Sequence, residues 1–202
     1  GYPFWKRLLK LQEVASLPFP RFMKRAALPL IGAWQGKDSL AYEYARRGAT
    51  GIPIFWSGAE SFTEEEKRRL LSPTLRKKFH GFTSYEAIRP IRERFEQKAW
   101  EPSHLNWMST VDLNLRLPEL LLMRVDKMSM GVSLEGRVPF LDHKFVELAM
   151  SIPSAMKTTD GVSKYLLKKA VRGVIPDVLI DRKKQGFGIP MDEWFFERLG
   201  DT

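Results

Sequence analysis

The stretch Leu117-Pro118-Glu119-Leu120-Leu121-Leu122-Met123-Arg124-Val125-Asp126-Lys127-Met128-Ser129-Met130, resumed by Ser133-Leu134-Glu135-Gly136-Arg137-Val138-Pro139-Phe140-Leu141-Asp142, decides how this chain is read. Pro118 has no N–H to extend a preceding helix, so a helix over 103–117 should end there. A new helix should open at Pro118 and run to about Val132. Gly136 and Pro139 mark 134–141 as a loop. Asp142 can cap a further helix, with Phe145, Val146, Leu148 and Ala149 on its apolar face. Six charges, Arg124, Asp126, Lys127, Glu135, Arg137 and Asp142, sit inside this apolar sequence. A lone buried charge is costly, so they should be paired or face a cleft. Two arrangements satisfy that. One is a buried ion-pair network tying the loop to the helix, and the other is the wall of a polar substrate pocket.

Working outward, the pattern is helix after helix, broken by Pro and Gly. Residues 3–15 carry Phe4, Leu8, Leu11 and Val14 on one stripe, and a second helix is expected over 19–30. Asp38 can cap a short helix over 39–47, stopped by Gly48. Residues 51–56, Gly-Ile-Pro-Ile-Phe-Trp, are the best strand candidate, weakened by Pro53. Thr63-Glu64-Glu65-Glu66 matches a capping box, and Ser72-Pro73 an N-cap followed by Pro at the first helical position. A long charged helix over 84–99 is interrupted near Pro90. Towards the end, Asp160-Gly161 forms a turn, Ser163 caps a helix over 164–172 stopped by Gly173, and Pro176 opens a short helix. After a Gly-containing loop over 182–189, Pro190, Asp192 and Glu193 open the last helix. No repeat or linker is visible, so 1–202 is expected to be one helical unit, mostly α.

The chain has 202 residues, enough for one domain and a sizeable core. No run approaches the ~18–20 apolar residues of a membrane span. Residues 1–10 are aromatic and basic, unlike a signal peptide. The absence of cysteine removes disulfides, thiolate metal sites and a cysteine nucleophile, and a cytoplasmic setting is expected. Lys and Arg number 33 against 24 Asp and Glu, a net charge of +9. A basic domain can attract nucleic acid, an anionic membrane or a phosphate-bearing molecule. The basic runs are short, scattered and set beside leucines, which is the pattern of solvated helix faces. The exception is Arg182-Lys183-Lys184, beside Gly186-Phe187-Gly188, where glycines would let the backbone approach a phosphate.

His80, His104 and His143 have no spacing suited to a metal, so no metal site is expected. No nucleophile elbow is present, nor a G-x-x-x-x-G-K-[ST] or G-x-G-x-x-G loop.

The central stretch closely resembles the synthetase domain of glutamine-hydrolysing asparagine synthetases. Further matches are Lys157, Gly161-Val162-Ser163-Lys164-Tyr165-Leu166-Leu167, Ile175-Pro176, and Arg182-Lys183-Lys184-Gln185-Gly186-Phe187-Gly188-Ile189-Pro190. The resemblance is specific over about 110–197 and looser over 1–100, where Phe55-Trp56-Ser57-Gly58-Ala59-Glu60 is similar to the family's variable middle. It implies the helical C-terminal half of an α/β ATP-pyrophosphatase-type (adenine nucleotide α-hydrolase-like) synthetase domain. The family's S-G-G-x-D-S and S-G-x-G-x-D-E loops for ATP are not in these residues. The second is followed in the family by Gly-Tyr, so the chain, opening on Gly1-Tyr2, is expected to start just after it. The glutaminase domain is likewise not in these residues.

The resemblance further implies ATP with Mg2+, aspartate as the acid, and ammonia from a glutaminase domain of the same polypeptide. Lys184 matches the family lysine in R-x-K-x-x-F and would stabilise charge on phosphate and acyl oxygens. Glu135 would orient a group or take a proton, or else pair with Arg137 or Arg124. Lys164 is a candidate near the phosphates, with Arg137 and Asp126 as further binding candidates. By itself the chain is expected to be inactive and, with a cleft face exposed, prone to self-associate. A relative amidating another carboxylate fits the same residues, and a basic helical binding module is the non-enzymatic alternative. Steeply salt-dependent nucleic-acid binding would mark the latter.

Overall fold

The computed structural model describes residues 3–58, 60–159, 162–183, 190 and 193–198. It is mostly α, with no strand among the described residues. Contacts group the chain into two compact units, 1–164 and 165–202, where the sequence carries no linker signal.

The first unit is organised around an irregular, buried segment rather than around a helix pair. Residues 52–56 form no strand, contrary to expectation, yet Ile54, Phe55 and Trp56 are buried in the main core beside Trp5, Ile91 and Trp107. Pro53 has no N–H for a ladder, and among the described residues no strand lies alongside. Side chains take up the buried polar groups instead. The Ile54 N–H donates to Gln12 Oε1 at 2.8 Å. Arg47 Nη1 donates to the Ile54 carbonyl at 2.7 Å, and Trp107 Nε1 to the Phe55 carbonyl at 2.9 Å. Those donors and acceptors come from α1 (Pro3–Ala15), α4 (Leu40–Thr50) and α8 (His104–Asn114).

Between α1 and α4 the chain forms α2 (Arg21–Ala26) and α3 (Leu28–Gln35), not the single helix expected over 19–30. Pro29 lacks the N–H that would continue α2 and suits the first turn of α3. Ser39, not Asp38, caps α4, its Oγ accepting from the Tyr42 N–H at 3.1 Å, while Asp38 pairs with Arg69. Gly48 does not stop α4. The helix runs on to Thr50 and ends at Gly51, whose φ of 80° is a left-handed stop. Gly48 instead lies where α1 comes closest, since a Cβ there would stand 2.9 Å from Ala15 Cβ. Gly48→Val should therefore lower stability by about 1–3 kcal/mol through overpacking, despite relieving a glycine of its helix penalty. Urea denaturation checks this, and an unchanged midpoint would remove the close crossing from the account.

At the next two helices the caps fall where the sequence places them. Thr63 and Glu66 form a reciprocal capping box on α5 (Glu64–Leu70), and Ser72 caps α6 (Pro73–Lys78). Next, α7 (Tyr85–Lys98) runs unbroken through Pro90, contrary to the interruption expected there, and buries Ile88, Ile91 and Phe95. After α8 the chain passes through a π-helical turn (Leu117–Leu122) into α9 (Met123–Met130). Asp142 caps α10 (His143–Ser151) as expected, its Oδ1 accepting from the Lys144 and Phe145 N–H groups. A short α11 (Ser154–Lys157) follows.

In the second unit, α12 (Tyr165–Ala170) is followed by Gly173 at φ 79° and by α13 (Asp177–Asp181), which opens after Pro176. Arg172 ties the two together through Asp177 at 2.9 Å and Asp181 at 2.7 Å. A π-helical turn covers Trp194–Arg198. The expected Asp160-Gly161 turn, Asp192 and most of the 182–189 loop lie outside the described residues.

Candidate functional site

The turn that builds the candidate site is made by short-range bonds. Ser129 Oγ donates back to the Val125 carbonyl at 2.7 Å, a habit of serine near helix ends. Past Gly131, Ser133 adopts φ +60°, and the Leu134 N–H returns to the Ser129 carbonyl at 2.9 Å. The chain thus folds back and lays Glu135-Gly136-Arg137 across α9. Gly136 packs closely there, since a Cβ would stand 3.2 Å from Val125 Cγ1. Asp126 is the next residue of the same helix.

The charged cluster is not buried. Arg124, Asp126, Lys127, Glu135, Arg137 and Asp142 are all exposed, which overturns the expectation of a buried network. The apolar residues around them are exposed too, Met128 at 75% and Val132 at 77%. Apolar composition here marks a bare face, not an interior. Glu135 and Arg137 form an ion pair at 3.1 Å, with side chains 67% and 82% exposed. Such a pair contributes about 0–1 kcal/mol and can exchange partners readily. Asp126 has no side-chain partner among the described residues, and neither does Lys164, which is exposed with φ +60°. Lys184 lies outside the described residues.

Lys157 has a structural setting. Its Nζ donates to Asn106 Oδ1 at 2.9 Å, Asn106 Nδ2 donates to Glu101, and Glu101 also accepts from the Ser154 N–H and hydroxyl. Burial pulls the Lys157 ammonium below its ordinary pKa against the opposing pull of Glu101. The Ser154 N–H, with its hydroxyl, holds the Glu101 carboxyl below the usual range.

A second polar centre went unnoticed in the sequence. Arg47 and Glu43 are 1% and 2% exposed and bond at 2.9 Å, and Arg47 also reaches Glu60 at 2.5 Å and lies 3.6 Å over the Trp56 ring. Burial alone would lower the Arg47 pKa, but Glu60 and Glu43 raise it overall. The clue available was the i, i+4 spacing of Glu43 and Arg47 beside an apolar run.

Compared with known proteins, residues 1–202 match the family model described as asparagine synthase. The chain belongs to the asparagine synthase family. It is 31% identical over 204 residues to asparagine synthetase [glutamine-hydrolyzing] 1 of Bacillus subtilis, covering 100% of this chain and 30% of that protein. A putative asparagine synthetase of Mycobacterium tuberculosis is 30% identical over 96% of this chain and 28% of its own length. Asparagine synthetase 3 of Bacillus subtilis is 38% identical over 132 residues, 61% of this chain. The chain therefore spans about a third or less of the curated relatives it matches. No solved structure matches it. These asparagine synthase family residues form a helical piece of the synthetase domain, and the described part contains no helix long and apolar enough to cross a membrane. Among the described residues no group of three or more His, Asp or Glu could hold a metal ion.

Proposed function

We propose that the polypeptide carrying this chain makes asparagine from aspartate, ammonia and ATP, releasing AMP and pyrophosphate. The observation that carries this is the whole-chain family match, together with an exposed Glu135–Arg137 loop laid across α9. In the first step an oxygen of the aspartate side-chain carboxylate attacks the α-phosphorus, and the bond to pyrophosphate breaks. In the second, ammonia attacks the acyl carbon, loses a proton and expels AMP. Both steps gather negative charge on phosphate and acyl oxygens, which fixed cations stabilise. Lys184 and Arg137 would supply such cations, with Lys164 near the phosphates and Asp126 at the edge of the site. Glu135 would accept the proton or orient the ammonia once substrate draws Arg137 away.

Mg2+ fits no cluster among the described residues. The ATP-binding loops and the glutaminase domain supplying ammonia would belong to the rest of the polypeptide, in a cytoplasmic setting.

The test is product formation by the full-length polypeptide with ATP, ammonium and a panel of carboxylic acids. Asparagine and pyrophosphate formed in equal amounts from aspartate is the expected result. Turnover only with another acid, or with none, would overturn the proposal.

A further inference from the structure

The path from α8 into α9 is not straight. At Leu115 the backbone leaves the helical region (φ −121°, ψ −70°), and Arg116 returns to it (φ −64°, ψ −40°). The direction in which the π-helical turn and α9 leave α8 is set at this joint.

Side chains grip the joint from both sides. The Arg116 guanidinium lies 3.9 Å from Asp112 Oδ2, one turn back, and its side chain is only 19% exposed. Asp112 Oδ1 accepts from the Gly58 N–H at 2.9 Å and from the Ser57 hydroxyl at 3.3 Å. Against Gly58 lies Arg116 itself. A Cβ at position 58 would stand 2.3 Å from Nη1, 3.1 Å from Cζ and 3.2 Å from Cδ. The Ser57-Gly58 peptide is thus wedged against both partners of the i, i+4 pair. That peptide is itself tied to the buried segment 54–56, so the joint is referenced to the core and not to solvent.

We propose that Asp112, Arg116 and Gly58 form a clamp that sets the direction of α9, and so positions Asp126 and the Glu135–Arg137 loop for amide formation. The proposal rests on the function given above. The loop is fastened to α9 through the Ser129 carbonyl and the close approach of Gly136 to Val125, so rotation at Leu115 carries the loop with it. These three are positioning residues. Misplacement of a reacting group by about 1 Å can cost about a hundredfold in rate. π-helical turns are common at functional sites, which agrees with a joint that must hold one angle.

The experiment uses the full-length polypeptide and two readouts, hydrogen exchange and steady-state kinetics. Gly58→Ala is expected to speed exchange of amides 117–130 about tenfold while leaving 40–50 unchanged. It should lower kcat for asparagine about tenfold or more, with KM for aspartate within about twofold. Adding Arg116→Lys should recover most of both, because a slimmer side chain clears the new methyl while keeping a cation beside Asp112. If Gly58→Ala does not fold, Asp112→Asn serves, since it keeps an acceptor for the Gly58 N–H and drops only the charge facing Arg116. Exchange that stays unchanged in 117–130, or rises equally in 40–50, overturns the clamp, as does a failure of Arg116→Lys to restore either readout. If exchange moves as expected but the wild-type polypeptide makes no asparagine, the function falls and the mechanical clamp stands.

Discussion

Lys184→Ala in the full-length polypeptide should lower asparagine formation about a hundred- to a thousandfold, the usual effect of removing one group aimed at developing charge. The lysine falls in Arg182-Lys183-Lys184-Gln185-Gly186-Phe187-Gly188, directly after α13, and the described Arg182 and Lys183 are exposed. Exposed cations beside glycines suit a loop that meets phosphate by charge and backbone together. Folding should be untouched, because Arg182 and Lys183 beside it are exposed. Lys184→Arg should restore only part of the rate, since a planar guanidinium does not replace a compact ammonium at a crowded phosphate. The check is initial rate alongside thermal unfolding. A variant within twofold of wild type would take Lys184 out of the mechanism.

Arg47→Ala should have the largest effect on stability, about 3 kcal/mol. Breaking a buried ion pair generally costs about 3–5 kcal/mol, and the lower end is expected because Arg46 still holds Glu43 at 2.7 Å. The exposed Arg137→Ala should cost under about 1 kcal/mol. The effect should also depend on pH. Burial pushes the Glu43 carboxyl up, but Arg46 and Arg47 more than offset this and hold it below its ordinary 4.5. A depressed folded pKa stabilises the fold fully above that ordinary value and ceases to do so as pH falls through the folded one. The gap between wild type and Arg47→Ala should therefore narrow in acid below 4.5. Urea titrations at neutral and acidic pH measure it. Equal destabilisation by the two arginine variants would show that the Arg47 network is not what anchors the segment 54–60.

What the sequence disclosed was local. The capping box at Thr63, the caps at Ser72 and Asp142, and the helix after Pro176 depend on residues within one turn of each other. The misreadings share a different cause. Gly48 carries the same letter whether it stops a helix or admits a neighbouring one, and only the position of Ala15 distinguishes the two. Residues 51–56 were read as a strand candidate, not as an unpaired segment, because their partners Gln12 and Trp107 lie far off in sequence. The six charges of 124–142 were judged from apolar company, and composition does not say whether that company is covered. Arg47 drew no attention because Arg46-Arg47 by itself resembles any solvated pair. For the candidate site, the loop over 134–141 was legible from Gly136 and Pro139, but not the way it folds back across α9. The clamp at Asp112 and Arg116 was not legible either, since it depends on Gly58.

The irregular segment 52–56 bears on how the chain reaches this state. Its buried polar groups find partners 42 residues earlier at Gln12 and 52 residues later at Trp107. Helices can form early from neighbouring residues, but these bonds must wait for distant parts of the chain to meet. Closing such loops costs entropy before any contact repays it. A chain whose regular elements among the described residues are helices is thus expected to fold at the pace of a non-local topology, with the central segment among the last parts to lose its water.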